Sequence, residues 1–435
     1  MMIGMVTWKR LGVFALLGWL LSWVISCAPT PSPPASPEIE FWTMQLQPQF
    51  TSYFNQLIAT FETKNPPLKV RWVDVPWSDM ESKILTAVAA KAAPDVVNLN
   101  PDFASQLATR NAWLELDGKV PEPVRQEYLP KIWQASTINQ CQGVTCKVST
   151  FGIPWYLTTR VTIYNQKLLQ AAGIDRPPAT YEELAEVAQR IKNKTGKYAF
   201  FVTFVPEDSG EVLESLVQMG VKLVDEEGNA AFNTSEGIAA FNYWVDLYKQ
   251  GLLPREVLTQ GHRNAIELYQ AGEIALLSSG AEFLKAIETN APAIAKVSAA
   301  APQITGNTKK KNVAVMNLVI PRDTNQADAA LKFALFVTNT ENQLAFTKAA
   351  NVLPSTVAAV EKYKAELSRQ AKASPLEQAR NISASQLADA EVLMPAMKDL
   401  NKLQKAIYQN LQAAMLGEKT VEQAVTDAAN EWNQR

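Results

Sequence analysis

The stretch IEFWTMQLQPQFTSYFNQLIATFETKNPPLKVRW, residues 39–72, sets the architecture to look for. Ile39 to Met44 reads as a buried strand. Phe50, Phe54, Leu57, Ile58 and Phe61 then recur at helical spacing until Asn65-Pro66-Pro67 stops the helix, and Leu68, Val70 and Trp72 alternate as a second strand does. Downstream, Ser78 and Glu81 predict an S-x-x-E capping box opening a helix with Ile84, Leu85 and Val88 inward, and DVVNL at 95–99 is again a short apolar strand. Such a βαβαβ run implies a mostly parallel sheet with helices on both faces. Ligands in that architecture sit beyond the carboxyl ends of the strands.

Working outward, a second α/β pattern starts near Val161–Tyr164, continues with a helix capped by Thr180 and Glu183, a strand at Tyr198–Val202 and a helix from about Gly210. Residues 234–250 carry Ile238, Phe241, Val245 and Tyr248 on one helical face, which places Trp244 in the core. Ile274 to Leu277 predicts a strand ending in Ser278-Ser279-Gly280, and Val313 to Ile320 another ended by Pro321. From about 326 onward the Ala, Leu, Gln and Lys content predicts helix nearly throughout, and Lys309 to Lys311 reads as a solvated turn.

The chain of 435 residues is 47% hydrophobic and 19% charged, the balance of a globular protein with room for two large lobes. Its 41 Lys and Arg against 43 Asp and Glu leave a net charge of −2, so no positive field gathers phosphates and nucleic acid is excluded as a partner. One histidine, His262, cannot build a multi-histidine metal site, and no metal or cofactor is expected. No Walker loop, G-x-G-x-x-G, G-x-S-x-G or H-E-x-x-H occurs.

Lys9 and Arg10 followed by sixteen uncharged, mostly apolar residues read as an export signal over residues 1–26. The tetrad Val24, Ile25, Ser26, Cys27 resembles the lipobox of bacterial lipoproteins, which makes Cys27 the expected acylation site. Loss of residues 1–26 removes two cations and moves the net charge from −2 to −4. Residues 27–37, with five prolines, form a stiff tether, so the chain is expected outside the cytoplasm, in the periplasm or on the outer face of the membrane, held by lipid alone. Cys141 and Cys146 remain as an even pair in a compartment where disulfides persist and are expected to close a small disulfide loop, the alternative being two free thiols in a surface turn.

Several phrases resemble one family when taken in order: FWTM at 41–44, FETKNPPLKVRW at 61–72, Lys83 with APDVV at 93–97, GIPWYLTTRVTIYN at 152–165, AAGIDRPPATYEEL at 171–184, YQAGEIALLSSG at 269–280, ALKFALFVTNTENQLAF at 330–346 and then NVLPST. They are similar to the extracellular solute-binding proteins of ATP-binding-cassette importers, in the carbohydrate branch that includes maltose-binding protein. The resemblance spans residues 38–435. It implies the two-lobe α/β periplasmic-binding-protein fold of type II, with residues 38–157 and 315–357 in the first lobe and 158–314 and 358–435 in the second. Crossovers fall near 155–160 and 312–317, and the lobes hinge shut on a sugar that a membrane permease then receives. The protein is expected to act as a monomer and to leave the sugar chemically intact.

A sugar cleft needs amides and carboxylates for paired hydrogen bonds and aromatic platforms for the apolar ring faces. Gln45 and Gln47 follow the first strand, as ligand contacts or as solvated amides. Asn100 and Asp102 follow DVVNL at a position where the resemblance implies ligand contact, although Asp102 could instead cap the next helix. Glu81 is a ligand group or half of the capping box. Trp155 and Tyr156 stand at the first crossover, facing the cleft or packing the hinge, and Arg160 offers a fork to vicinal hydroxyls or pairs with a structural acid. Glu207 and Asp208 lie at the end of the strand near 198–205. Ser279 and Gly280 match the family's small-residue turn, after which Glu282 and Phe283 replace its customary aromatic, so Phe283 stacks or Glu282 hydrogen-bonds. Asn317 reaches the ligand from the returning crossover or is a satisfied buried amide, and Met394 and Ala396 flank the rim.

The leading function is a lipid-anchored receptor for a neutral carbohydrate. A phosphorylated polyol such as glycerol phosphate is the alternative ligand, but it needs converging cations and Arg160 is the one cation among these candidates. An extracytoplasmic glycosidase would need paired carboxylates, such as Asp102 with Asp208 or Glu282. A sensory lipoprotein that signals its bound state is a third reading.

Overall fold

The computed structural model describes residues 38–142, 145–206, 208–369, 374–394, 397 and 399–434. The export segment, Cys27 and the proline-rich tether lie outside the described residues, as do Glu207 and Ala396. The strands are β1 (Glu38–Met44), β2 (Lys69–Val75), β3 (Val96–Leu99), β4 (Thr137–Gln142), β5 (Thr145–Thr150), β6 (Ile153–Asn165), β7 (Leu276–Gly280), β8 (Ser298–Ala301), β9 (Lys311–Val319), β10 (Leu353–Pro354) and β11 (Ala390–Glu391).

The βαβαβ start forms as its pattern predicts. β1 lies between β2 and β3, parallel to both, with the helices Thr51–Lys64 and Trp77–Ala89 as the crossovers. β9 and β6 then add to the other side of β3 in antiparallel register, giving the order β10-β6-β9-β3-β1-β2. β6 is a single strand of thirteen residues. Its first part, to Thr159, pairs with β9; from Arg160 onward it runs between β7 and β8 in a different lobe. One strand therefore belongs to both halves of the molecule.

Each half has its own core. Phe41, Phe54, Phe61, Trp155, Phe333 and Phe346 fill the first, where Trp155 stacks on Phe346 with ring centroids 4.8 Å apart. Phe204, Phe232, Phe241, Trp244, Tyr269, Tyr408 and Trp432 fill the second, and the Trp244 indole N–H donates to Ser215 Oγ at 3.0 Å. The last two helices, Leu400–Met415 and Val421–Asn433, supply much of this second core. A smaller apolar group at the junction gathers Leu157, Val313, Val315, Leu353, Val360, Tyr363 and Leu367.

Three local expectations give way. The Ser78/Glu81 capping box does not form: the helix starts at Trp77 behind Pro76, so Ser78 is already inside it and its hydroxyl donates to Asp79 instead, 2.8 Å away. Tyr198–Val202 forms no strand, although Ala199–Val202 is buried, and meets the sheet through a single bridge, Tyr198 to Ile274. Lys310 and Lys311 are not simply solvated; they reach Glu391 at 2.9 Å and Asp389 at 3.7 Å. In the β4–β5 hairpin the backbone sets Cys141 directly opposite Cys146.

Candidate functional site

Parallel β1, β2 and β3 deliver their carboxyl ends to one edge of the first lobe, and a single acid organises that edge. Asp74, next to last in β2, accepts from Thr43 Oγ1 at 2.6 Å and from the backbone N–H groups of Leu46 and Gln47 at 2.9 Å each. These bonds hold the loop after β1, in which Gln45 adopts φ 53° and donates its N–H to Val75 O at 2.9 Å. Gln45 and Gln47 are thereby presented as exposed side chains, and Gln45 Oε1 also accepts from the N–H of Trp77 at 3.4 Å. Trp77 itself is 44% exposed at the end of β2, a large indole left open where strand ends converge. Asn100, at the end of β3, caps the helix Pro101–Ala108 by accepting from Phe103 N–H at 2.8 Å, so the cap role considered for Asp102 falls to its neighbour. The Asp102 side chain lies outside the described set.

Tyr156 joins this edge to the second lobe. It is buried at 8% exposure, and burial, reinforced by the charges of Glu282 and Asp74, pushes its phenol well above the usual range. Its neighbour Trp155 is fully buried in the first core, which is a packing role and not a cleft platform. Tyr156 also touches that core, edge-on to Phe346 at 5.3 Å, and the register with β9 shifts between Pro154 and Tyr156.

On the second lobe, Arg160 is the first residue of β6 to pair with β7. Its Nε donates to Glu214 Oε2 at 3.3 Å and a terminal nitrogen to Ser209 Oγ at 3.4 Å. Burial alone would lower the Arg160 pKa, but Glu214 and Glu211 outweigh it and hold the guanidinium charged. Burial pushes the Glu214 carboxyl up, and Arg160 offsets that only in part. His262 Nδ1 stands 3.8 Å from Glu211 Oε2 without a hydrogen bond, and burial together with Arg160 lowers the imidazole to about 4 against the pull of Asp208. Asp208 is exposed and accepts the His262 backbone N–H at 2.6 Å, closing the start of the helix His262–Gln270. Behind the cluster lies a cavity of about 50 Å³ walled by Arg160, Tyr181, Glu211, Glu214, Gln218 and Trp244.

Ser279 is buried in β7 and Gly280 ends that strand. The Glu282 carboxylate folds back over Gly280, so that a Cβ there would fall 2.1 Å from it and displace the carboxylate. Burial raises the Glu282 pKa, with its own backbone N–H and Arg160 opposing. Phe283 opens the next helix and packs against the second core, and Met394 packs there too. Asn317 is 1% exposed, accepts from Ser136 Oγ at 2.6 Å and donates to Val315 O at 3.2 Å, so both ends of its amide are engaged within the protein. Glu81 is half-buried within its helix.

The profile of the bacterial extracellular solute-binding proteins matches residues 47–344, more than half of the chain. The protein belongs to that family. This solute-binding protein is 45% identical to a provisionally assigned oligosaccharide periplasmic-binding protein from Synechococcus sp. MITs9220, solved with and without zinc, at a TM-score of 0.85 over 91% of this chain and 98% of that one. It shares the fold of the cyclic alpha-maltosyl-1,6-maltose binding protein of Arthrobacter globiformis, 21% identical with a TM-score of 0.76 over 92% and 98% of the two chains. It is also 25% identical over 239 residues to the arabinooligosaccharide-binding protein of Halalkalibacterium halodurans, covering 54% of this chain and 50% of that one. These relatives are binding proteins, and the two-lobe type II fold is theirs and this chain's. Among the described residues of the solute-binding protein, no group of three His, Cys, Asp or Glu side chains could hold a metal ion, and no helix is long and apolar enough to cross a membrane.

Of the candidates, Gln45, Gln47, Asn100 and Tyr156 thus lie on the first lobe and Arg160, Asp208, Gly280 and Glu282 on the second, with Tyr156 near enough to Glu282 to feel its charge. Trp155 and Asn317 belong to cores instead. Asp74 and Trp77 were not anticipated, although the segment VDVPW offered a signal: an acid and an aromatic flanking the proline that ends a parallel strand.

Proposed function

We propose that the chain captures a neutral carbohydrate, from a monosaccharide to an oligosaccharide, between its two lobes and passes it unaltered to the permease of an ATP-binding-cassette importer. The observation that carries this reading is the state of Arg160. Its fork is turned to Glu214 and Ser209 inside the second lobe, so it is not free to neutralise a phosphate. What remains open at the strand ends are amides, carboxylates and the exposed face of Trp77, the groups that bind hydroxyls and sugar C–H faces. Carbohydrate names among the relatives support the same class. The glycerol-phosphate and glycosidase readings lack a comparable observation.

The remaining parts of the proposal concern the cell and the lobes. Acylated Cys27 anchors the protein outside the cytoplasm as a monomer, and the facing positions of Cys141 and Cys146 support a disulfide across the hairpin. The lobes take residues 38–157 with 315–357, and 158–314 with 358–435, a division that the two aromatic cores support. A thermal-shift screen against neutral sugars, sugar phosphates and polyols tests the ligand class. A ligand at 100 times its Kd adds about 2.7 kcal/mol, and the recovered ligand should be unchanged by mass. A response to sugar phosphates alone, or recovery of a cleaved sugar, would refute the proposal.

A further inference from the structure

A small chamber sits at the joint between the lobes and shares Glu282 with the candidate site described above. Its walls come from β6 (Leu157, Thr159), from Leu353 of β10, from Glu282 after β7, and from Arg380 and Ser383 on the helix Pro375–Gln386. Thr159 is the last residue of β6 to pair with β9, and Arg160 the first to pair with β7, so the chamber adjoins the point where the strand changes partners. Three polar atoms on its walls are buried without a hydrogen-bond partner among the described residues: Thr159 Oγ1, Ser383 Oγ and Arg380 Nε. Thr159 and Ser383 are each 4% exposed.

Buried polar groups are nearly always paired, and three orphans around one cavity call for a shared partner. The chamber volume is about 10 Å³. That is the size of a single water, which also needs two to four polar neighbours. We propose that this chamber is a built site for one ordered water that ties β6 to the helix Pro375–Gln386 at the hinge. The water accepts from the Arg380 Nε–H and exchanges hydrogen bonds with the two hydroxyls, which serve as donor or acceptor as needed. A halide is larger, and the Glu282 carboxylate on the same wall opposes it. One residue along the strand, Gln386 Nε2 donates directly to Arg160 O at 3.1 Å, so the same helix grips the joint once through its own side chain and once through solvent.

The water site depends on the two-lobe fold but not on which ligand the cleft takes. Crystals of the protein should show a solvent peak within hydrogen-bond distance of Thr159 Oγ1 and Ser383 Oγ, with no anomalous peak there after a bromide soak. Thr159→Val keeps the side-chain shape and removes the hydroxyl. It and Ser383→Ala should each speed hydrogen exchange of the amides of residues 157–161 by about tenfold, with the parallel β1–β2 amides unchanged as a control. Absence of the peak, a bromide at that position, or unchanged exchange in both variants would overturn the site while leaving ligand capture untouched. Should the variants fail to fold, the crystal of the unaltered protein still decides.

Discussion

Arg160 and Glu214 meet at 3.3 Å with 23% and 12% of their side chains exposed, and they tie the crossing strand β6 to the first turn of the helix Glu211–Gln218. Breaking a buried pair by removing one member strands the other charge. Glu214→Ala should therefore cost about 3–5 kcal/mol in denaturant unfolding, and Arg160→Met a comparable amount, because it leaves Glu214 beside Glu211 without the cation that offsets them. If Glu214→Ala also creates a response to sugar phosphates, the freed guanidinium is the reason.

The single histidine should leave a mark on the acid side. Burial, with Arg160 nearby, lowers His262 from the ordinary imidazole value of 6.5 to about 4 in the fold. The unfolded chain therefore binds the proton first as pH falls, and stability present above pH 6.5 drains away between there and about pH 4. The full loss is about 3 kcal/mol, at about 1.4 kcal/mol per unit. The raised carboxyls of Glu214 and Glu282 act in the opposite sense over the acid range. The clean measurement is therefore the unfolding free energy of the protein minus that of His262→Gln at each pH. A flat difference would refute it.

Asp74 is a positioning residue for the loop after β1, since it accepts two backbone N–H groups and a hydroxyl. In Asp74→Asn the amide can turn only one oxygen toward these donors. The expected cost is about 1–3 kcal/mol, with faster hydrogen exchange at Leu46 and Gln47. Asp74→Glu should not rescue it, because the carboxylate would overshoot the loop.

Trp77 separates binding from folding. An exposed indole contributes little to stability, so Trp77→Ala should change it by no more than about 0.5 kcal/mol. Loss of its stacking face should weaken carbohydrate binding by roughly 2- to 10-fold in titration calorimetry. Unchanged affinity would remove Trp77 from the cleft.

Asn100 provides the contrasting case. Its side chain caps the helix Pro101–Ala108, so Asn100→Ala should cost about 1 kcal/mol whether or not ligand is present, while Asn100→Ser should recover most of that loss.

The parallel start of the fold was legible because strands buried on both faces are written as apolar runs, and IEFWTM and DVVNL are such runs. The length of β6 was not. Its burial is nearly continuous from Ile153 to Asn165, so periodicity cannot tell where one lobe's strand stops and the next begins. The capping box failed for a local reason: Pro76 supplies a fixed φ suited to a helix start, and Trp77 takes the first helical position before Ser78 can act as a cap. Residue types at strand ends pointed to Gln45, Asn100 and Glu282, and the structure puts them at strand ends or in the turns after them, Asn100 as a helix cap. Asp74 escaped because its work is done on backbone N–H groups whose positions no side-chain motif records. For Trp155 and Asn317 both readings stay open in the sequence, because an aromatic and an amide look alike there whether they serve a ligand or a core; in the structure both side chains are buried.

β9 lies between β3 and β6 in the first sheet. Until residues 311–319 have been made, that sheet has a gap in its middle, with early strands on one side and the crossing strand on the other. The amino-terminal lobe is thus begun first and finished late, and its closure waits on a pairing between segments far apart in the chain.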